Sequence, residues 1–487
     1  MLFGLLLTIA LIIAIGLLSG RKAKDAATFT TGGGKASGWV VCGTIMGTIV
    51  SGQSTVGTAQ LAFHFGISAW GFTIGAALGC LALALIYTKP LRSSGCVTLM
   101  EVISKEYGRK TEIVGSVLCL IGIFISIIAQ IIASSALLTS LIPMSYLVAA
   151  FVAIALMMVY VVFGGLWGAG WGGIVKMALL YVSSIVAGLF VWKSAQGWDG
   201  LTASIASLQG RGLPVEADNY SNFLARGPLK DIGSCLSLIL GVLATQTYAQ
   251  GIWAGRSNGA ARRGSLLCAF LIPPIGAACT LVGMYMRSHY ITSAELLQLQ
   301  AVGASVPEGM GVIETSVQAF PAFITNHLPG FFGGMVLGTL FITIVGGGSG
   351  LVLGAATIIG RDVLGQLREW ARRRRPDASS PVTLKMLRLI IVAILLTGVA
   401  VSLLVQSTFI NDLGFLSLGL RATAVLVPLS GALFLPGRIK PRYALASLIA
   451  GTLTLLAAQM LHLPADPVYW GMGVGMVVSL LGWQKRQ

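Results

Sequence analysis

Apolar runs of membrane-spanning length, separated by short polar connectors, occupy almost the whole chain. A helix needs roughly 20 mostly apolar residues to cross a bilayer, and such runs begin near residues 2, 38, 68, 113, 146, 174, 232, 265, 332, 386, 411, 443 and 468. The pattern predicts an all-α, polytopic membrane protein of about thirteen transmembrane helices. Only two connectors are long, about residues 195–231 and 288–330, and neither has the length or apolar content of an independent domain. Residues 1–487 read as one transmembrane domain.

Polar interruptions inside the runs are the next signal, because in hydrocarbon a broken helix leaves backbone groups unpaired unless they line a cavity or bind something. One interruption is predicted at Ser51-Gly52-Gln53-Ser54-Thr55-Val56-Gly57 and another at Ala244-Thr245-Gln246-Thr247-Tyr248-Ala249-Gln250-Gly251. They fall in the second and seventh runs, five apart, so each opens a block of five helices, roughly 38–194 and 232–436. That is the spacing of an inverted-repeat transporter whose discontinuous helices meet the substrate near the midplane. Small polar residues also serve simply to pack helices together, but two such stretches at matching positions, each with glutamine, favour the transporter. A further oddity is Gly346-Gly347-Gly348 inside the apolar segment 332–359.

Composition agrees with the pattern: 55% hydrophobic and 10% charged residues, with mean hydropathy +0.87, exclude a soluble domain. The net charge of +16 raises nucleic acid as a partner, but position argues against it, since the basic residues gather in alternate loops. Arg21, Lys22, Lys24 and Lys35, then Lys89, Arg92, Lys105, Arg109 and Lys110, then Arg256, Arg262 and Arg263, and finally Arg372-Arg373-Arg374-Arg375, fall on one side. Loops 141–145, 406–411 and 461–467 on the other side carry none. The positive-inside rule then predicts the amino terminus outside and the carboxyl terminus inside, with a bacterial cytoplasmic (inner) membrane as the expected location.

Residues 1–19 lack a basic n-region and are followed, not preceded, by positive charge, which is the pattern of a retained first span. The connector 361–385 reads as a solvated, partly disordered segment in contact with lipid head groups. The seven cysteines show no CxxC pair and the four histidines, His64, His289, His327 and His462, sit near outer helix ends or in outer loops. Packing roles are expected for the cysteines, with no metal cluster, no cofactor and no obligatory protein partner.

Two cations stand inside apolar runs without an acid nearby: Lys176, and Arg421, nine residues after Asp412 and seven before Pro428. A charge at the bilayer centre costs at least roughly 2.5–3.5 kcal/mol on insertion scales, so each should serve a pathway or find a partner. For Lys176 the alternative is that it snorkels to the cytoplasmic interface. For Arg421 it is contact with carbonyls of the broken first helix. All sixteen acidic residues fall in predicted loops or at helix ends, so an anionic substrate is one way to supply a partner.

Several short matches give the chain a family likeness. Thr31-Gly32-Gly33-Gly34-Lys35 leading into Ser37-Gly38-Trp39 resembles the glycine-rich basic turn before the second helix of the sodium:solute symporter family. Thr98-Leu99-Met100-Glu101-Val102 with Tyr107-Gly108-Arg109, Gly164-Gly165-Leu166-Trp167 with Trp171, Ala261-Arg262-Arg263-Gly264 and Gly360-Arg361-Asp362 follow in the family's order. The resemblance implies a LeuT-type fold of 5+5 inverted repeats, with an extra helix at 1–20 before them and two at 443–484 after them. It also implies cation-coupled uptake of a small-molecule substrate by alternating access.

In the family, one sodium ion is held by backbone carbonyls of the first repeat helix, matching Gly47 and Val50 here, and by Ser/Thr hydroxyls of the eighth, matching Gly346 and Gly347. A hard cation needs about six oxygen ligands, and glycine offers no side-chain oxygen, so the site is degraded unless Thr343 or Ser349 turns inward. Where family members place Asp and then Gln after a tryptophan like Trp171, this chain has Gly173 and Lys176. Both changes add positive character. The expectation is that the Lys176 ammonium takes the ion's place, with Gly346 and Gly347 giving it room and carbonyl acceptors. Its proton cycle could then couple transport to a proton gradient. The coupling ion is left between H+ and Na+. Substrate contacts carried over by position are Ser51, Gln53, Ser54 and Thr55, then Gln130, then Gln246, Thr247 and Tyr248, groups able to bind a carboxylate, sugar, urea or amide alike.

Other classes fit less well. A channel calls for a repeated pore or charged ring, an enzyme for a nucleophile–base or metal constellation, and neither is visible. A sensor of this fold would be expected to carry a cytoplasmic output domain. An ordinary sodium-coupled symporter remains the alternative to the sodium-independent reading.

Overall fold

The computed structural model describes residues 1–20, 32–210, 213, 215–301, 306, 309–365, 384–405 and 408–485. The basic cluster at 21–24, the arginines at 372–375 and most of the connector 361–385 lie outside the described residues.

Helices α1 (Leu2–Gly20) and α2 (Gly38–Ile49) open the fold. Ser37 starts α2 by accepting the Val40 N–H, as an N-cap serine does. After a break come a π-helical turn at Gln53–Gly57, α3 (Thr58–Phe65), α4 (Gly71–Ala82), α5 (Leu99–Tyr107) and α6 (Arg109–Thr139). Thr98 caps α5 and Gly108, at φ 83°, ends it.

The next two spans are α7 (Tyr146–Val162) and α8 (Gly170–Ser194). A helix rises about 1.5 Å per residue, so twelve residues would separate Tyr160 and Gly172 by about 18 Å along one axis. A Cβ on Gly172 would instead lie 2.1 Å from the Tyr160 hydroxyl, so the chain doubles back and the two spans run side by side.

Beyond α9 (Gly197–Gly210), the pair α10 (Pro228–Leu243) and α11 (Gln246–Ala254) is bent by 45°. Then follow α12 (Asn258–His289), α13 (Ser293–Ala301), α14 (Ala319–His327), α15 (Gly330–Ile358), α16 (Leu384–Val405), α17 (Ile410–Arg421), α18 (Val427–Phe434), α19 (Pro441–Met460) and α20 (Pro467–Leu481). The long connectors thus contain short elements that hydropathy alone does not reveal: α9, α13, α14 and a parallel pair of strands, Tyr290–Thr292 with Gly311–Ile313.

Eight helices among the described residues are long and apolar enough to cross a membrane, nine if the bent pair counts as one span. The expectation of about thirteen is larger because Leu2–Leu11, Gly38–Ile49, Tyr146–Val162 and Pro467–Leu481 are apolar but shorter. Helix α15 is enclosed: the whole apolar window of its span is buried inside the protein. Over that window the helix can be apolar all round because it faces neighbours there, while Phe331 and Phe332 in its first turn are exposed. All seven cysteines are free, and six are buried.

Candidate functional site

Helix α2 stops where its backbone ladder is diverted. Val50 is extended (φ −80°, ψ 98°), and the Ser51 N–H, which would continue the ladder to the Gly47 carbonyl, turns to Ser54 Oγ at 2.8 Å. The last carbonyls of a helix have no intrahelical donor and carry the negative end of its dipole, so they attract a cation. Here the cation is Lys176 of α8. Its Nζ donates to Gly47 O (2.5 Å), Val50 O (3.1 Å) and, from α15, Thr343 O (3.1 Å). An ammonium has three donors, and all three are used. The side chain is 0% exposed, so it does not snorkel to an interface.

Glycines make that approach possible. A Cβ on Gly43 would lie 2.2 Å from Gly170 O, and one on Gly173 would lie 2.0 Å from Gly43 O, so α2 and α8 touch backbone to backbone in the manner of small-residue packing in membranes. One turn farther on, the same contact sets Lys176 against Gly47. On α15, a Cβ at Gly346 would come within 3.3 Å of Lys176 Nζ, one at Gly347 within 2.3 Å of Ser51 Cβ, and one at Gly348 within 2.8 Å of Met157 Sδ. Each of the three consecutive glycines therefore admits a different neighbour. The acceptor that α15 offers to the ammonium is Thr343 O, not a carbonyl of Gly346 or Gly347. Ser349 turns its hydroxyl away, to Met157 O and Val345 O (3.1 and 2.8 Å), while Thr343 Oγ1 is buried without a partner. Replacing Gly173 by alanine is expected to destabilise the protein by about 1–3 kcal/mol through overpacking, because the new methyl meets backbone. The midpoint of thermal unfolding in detergent reads this out.

Most of the polar residues that the sequence assigns to substrate are engaged with the breaks. Ser54 Oγ donates to Ile49 O (2.9 Å), Thr55 Oγ1 to Ser51 O (2.8 Å), and Gln130 receives the Gly52 N–H (2.9 Å) while donating to Ser51 Oγ (3.1 Å). These groups satisfy the backbone that the first break exposes. At the second break, Thr245 is extended (φ −97°, ψ 119°). There Gln246 pairs with Leu99 N and Val97 O (2.9 and 3.1 Å), and Thr247 with Gly350 O (3.1 Å).

Gln53 and Tyr248 are different. They line a small cavity between the two breaks together with Thr48, Ser126, Phe72 and Arg421. Gln53 Nε2 is buried and has no hydrogen-bond partner. Arg421, 1% exposed, fits where a Cβ on Gly122 would stand 3.0 Å from its Cγ. Its guanidinium donates to Ser417 O (3.1 Å), Thr245 Oγ1 (2.8 Å), Ser126 Oγ (3.1 Å) and Ser417 Oγ (2.9 Å). Its partner at a break is thus Thr245 of the second, not carbonyls of the first. Four of its five N–H donors are used by these bonds, the Tyr248 hydroxyl also interacts with the guanidinium, and among the described residues neither Arg421 nor Lys176 pairs with a carboxylate. The sequence reading missed Ser126 and Thr48. Ser126 stands four residues before Gln130, on the same face of α6, which is the signal that could have found it.

The model of the sodium:solute symporter family matches residues 29–451. A relative from Bacillus subtilis (strain 168), described as uncharacterized symporter YwcA, is 25% identical over 483 residues, covering 97% of this chain and 87% of that protein. Among solved structures, a Na+-coupled sialic acid symporter in a substrate-bound outward-open state superposes with a TM-score of 0.77 at 17% identity, over 98% of this chain and 95% of that one. A nucleobase-cation-symport-1 family transporter in a closed conformation, with bromovinylhydantoin bound, gives 0.55 at 10% identity, over 93% and 92%.

Proposed function

The chain belongs to the sodium:solute symporter family, and from that premise we propose that it carries a small organic anion across the membrane by alternating access, with Lys176 standing in place of the sodium ion. It is a multi-pass integral membrane transporter of LeuT-type fold, not an enzyme. We place the repeats at 38–194 and 232–436, the amino terminus outside and the carboxyl terminus inside a bacterial cytoplasmic membrane, on the charge pattern of the loops.

One observation carries the substrate class. A fully buried arginine, without a carboxylate, borders a cavity that also holds an unpartnered amide donor, Gln53 Nε2. A carboxylate placed there takes an Arg421 N–H in competition with the Tyr248 hydroxyl, and the Gln53 amide, and supplies the charge that the site lacks. The cavity has room for about one water molecule, so binding must open it, which is how an occluded site between broken helices is expected to behave.

Uptake of labelled short-chain carboxylates into proteoliposomes, beside their neutral amides, tests this. Saturable uptake of carboxylates alone is expected. Equal uptake of the amides, or none of either, contradicts the reading. Gln53→Leu is expected to raise the half-saturation concentration about tenfold, the worth of one hydrogen bond to a charged group, with thermal stability not lowered because the lost nitrogen has no partner to abandon.

A further inference from the structure

On the lipid-facing side, an apolar groove of about 330 Å³ runs between α10, α18 and α20. Leu240, Leu426, Val427, Met476 and Trp483 are among its walls. Met476, Leu480 and Trp483 are exposed, at 49%, 62% and 46%, so the groove opens to the bilayer. Hydrocarbon alone does not make such a cleft selective, and its mouth is where selectivity arises.

At that mouth, residues 438–440 and 482–484 pair as a short antiparallel bridge: Lys440 N donates to Gly482 O (3.0 Å) and Gln484 N to Arg438 O (2.8 Å). The bridge gathers Arg438, Lys440, Arg442 and Lys485, and residues 436–445 and 479–485 contain no acid. The Arg438 guanidinium lies 5.7 Å from the centre of the Trp483 ring, a cation–π contact at the level where tryptophan marks a membrane interface. Glu106 accepts the Gly437 N–H at 2.5 Å. Among the described residues, the two segments that meet at the bridge thus carry four basic residues and no acid of their own, beside an apolar cleft.

We propose that this groove is a binding site for an anionic phospholipid from the leaflet on the carboxyl-terminal side. One acyl chain lies against Leu426, Val427 and Met476, and the phosphate sits at Arg438 and Arg442. Arginine forks match phosphate oxygens, and basic residues at the membrane surface favour anionic head groups. A zwitterionic lipid offers the same chains without net charge.

The test uses the purified full-length protein in detergent, with phosphatidylglycerol, phosphatidylcholine of the same chains, or inorganic phosphate. Native mass spectrometry counts retained lipid and thermal unfolding reports its effect. Expected is retention of phosphatidylglycerol but not phosphatidylcholine, and no displacement by phosphate. The double variant Arg438→Gln, Arg442→Gln should weaken retention about thirtyfold, and Met476→Trp, which fills the cleft and leaves the charges, should weaken it as well. Lipid-free unfolding midpoints equal to the parent's establish that both variants fold. Equal retention of the two lipids, displacement by phosphate, or retention unaffected in either variant overturns the proposal.

Discussion

Replacing Lys176 by alanine is expected to lower uptake at least tenfold and to destabilise the protein. Three charged hydrogen bonds are lost, to Gly47 O, Val50 O and Thr343 O, and the carbonyls are left buried without donors, at about 1–3 kcal/mol each. Added sodium should not restore transport. The vacated space keeps those three carbonyls and the Thr343 hydroxyl, fewer than the roughly six oxygens a hard cation takes. Gly346 and Gly347 contribute none, and a side chain at 347 would strike Ser51. Lys176→Met separates packing from charge, because it fills the volume and leaves the carbonyls bare. Uptake near the parent level in the methionine variant would show the ammonium to be dispensable.

Arg421→Gln is expected to raise the half-saturation concentration for the anionic substrate by at least about thirtyfold, since removing one partner of a buried charge pair costs roughly 2–5 kcal/mol. Loss of binding through misfolding is the competing outcome, because the guanidinium ties α17 to Ser126 of α6 and to Thr245 at the second break. The unfolding midpoint and the maximal rate of carboxylate uptake distinguish the two. A variant that keeps the parent's midpoint and reaches the parent's maximal rate at high carboxylate concentration fits a substrate contact. A fall in both midpoint and maximal rate fits a structural strut.

Much of the site was visible in the sequence because its causes are local. A glycine run and a lysine without an acid are signals within one segment, and they point to Gly346 and Lys176, while Gly47 and Val50 follow only from the family resemblance. What the side chains do once packed was not visible. Ser51, Ser54, Thr55 and Gln130 are residue types that suit a polar substrate or an exposed backbone equally well, and only the rotamers reveal that here they serve the backbone. Arg421's partners come from three helices far apart in sequence, and single serines and threonines in apolar runs are too common to announce them. The number of spans was blurred for a related reason. Hydropathy sees a continuous run where the backbone breaks at Val50, and it cannot tell a short enclosed helix from a longer one facing lipid.

The central claim is that an ammonium on α8 does the work of the coupling sodium ion. The direct measurement is the initial rate of carboxylate uptake into proteoliposomes at fixed proton gradient, with sodium replaced by choline on both sides. The account predicts a rate unchanged within about twofold, less than the free energy of a single hydrogen bond. A fall of tenfold or more on removing sodium would contradict it and return this transporter to the sodium-coupled members of its family.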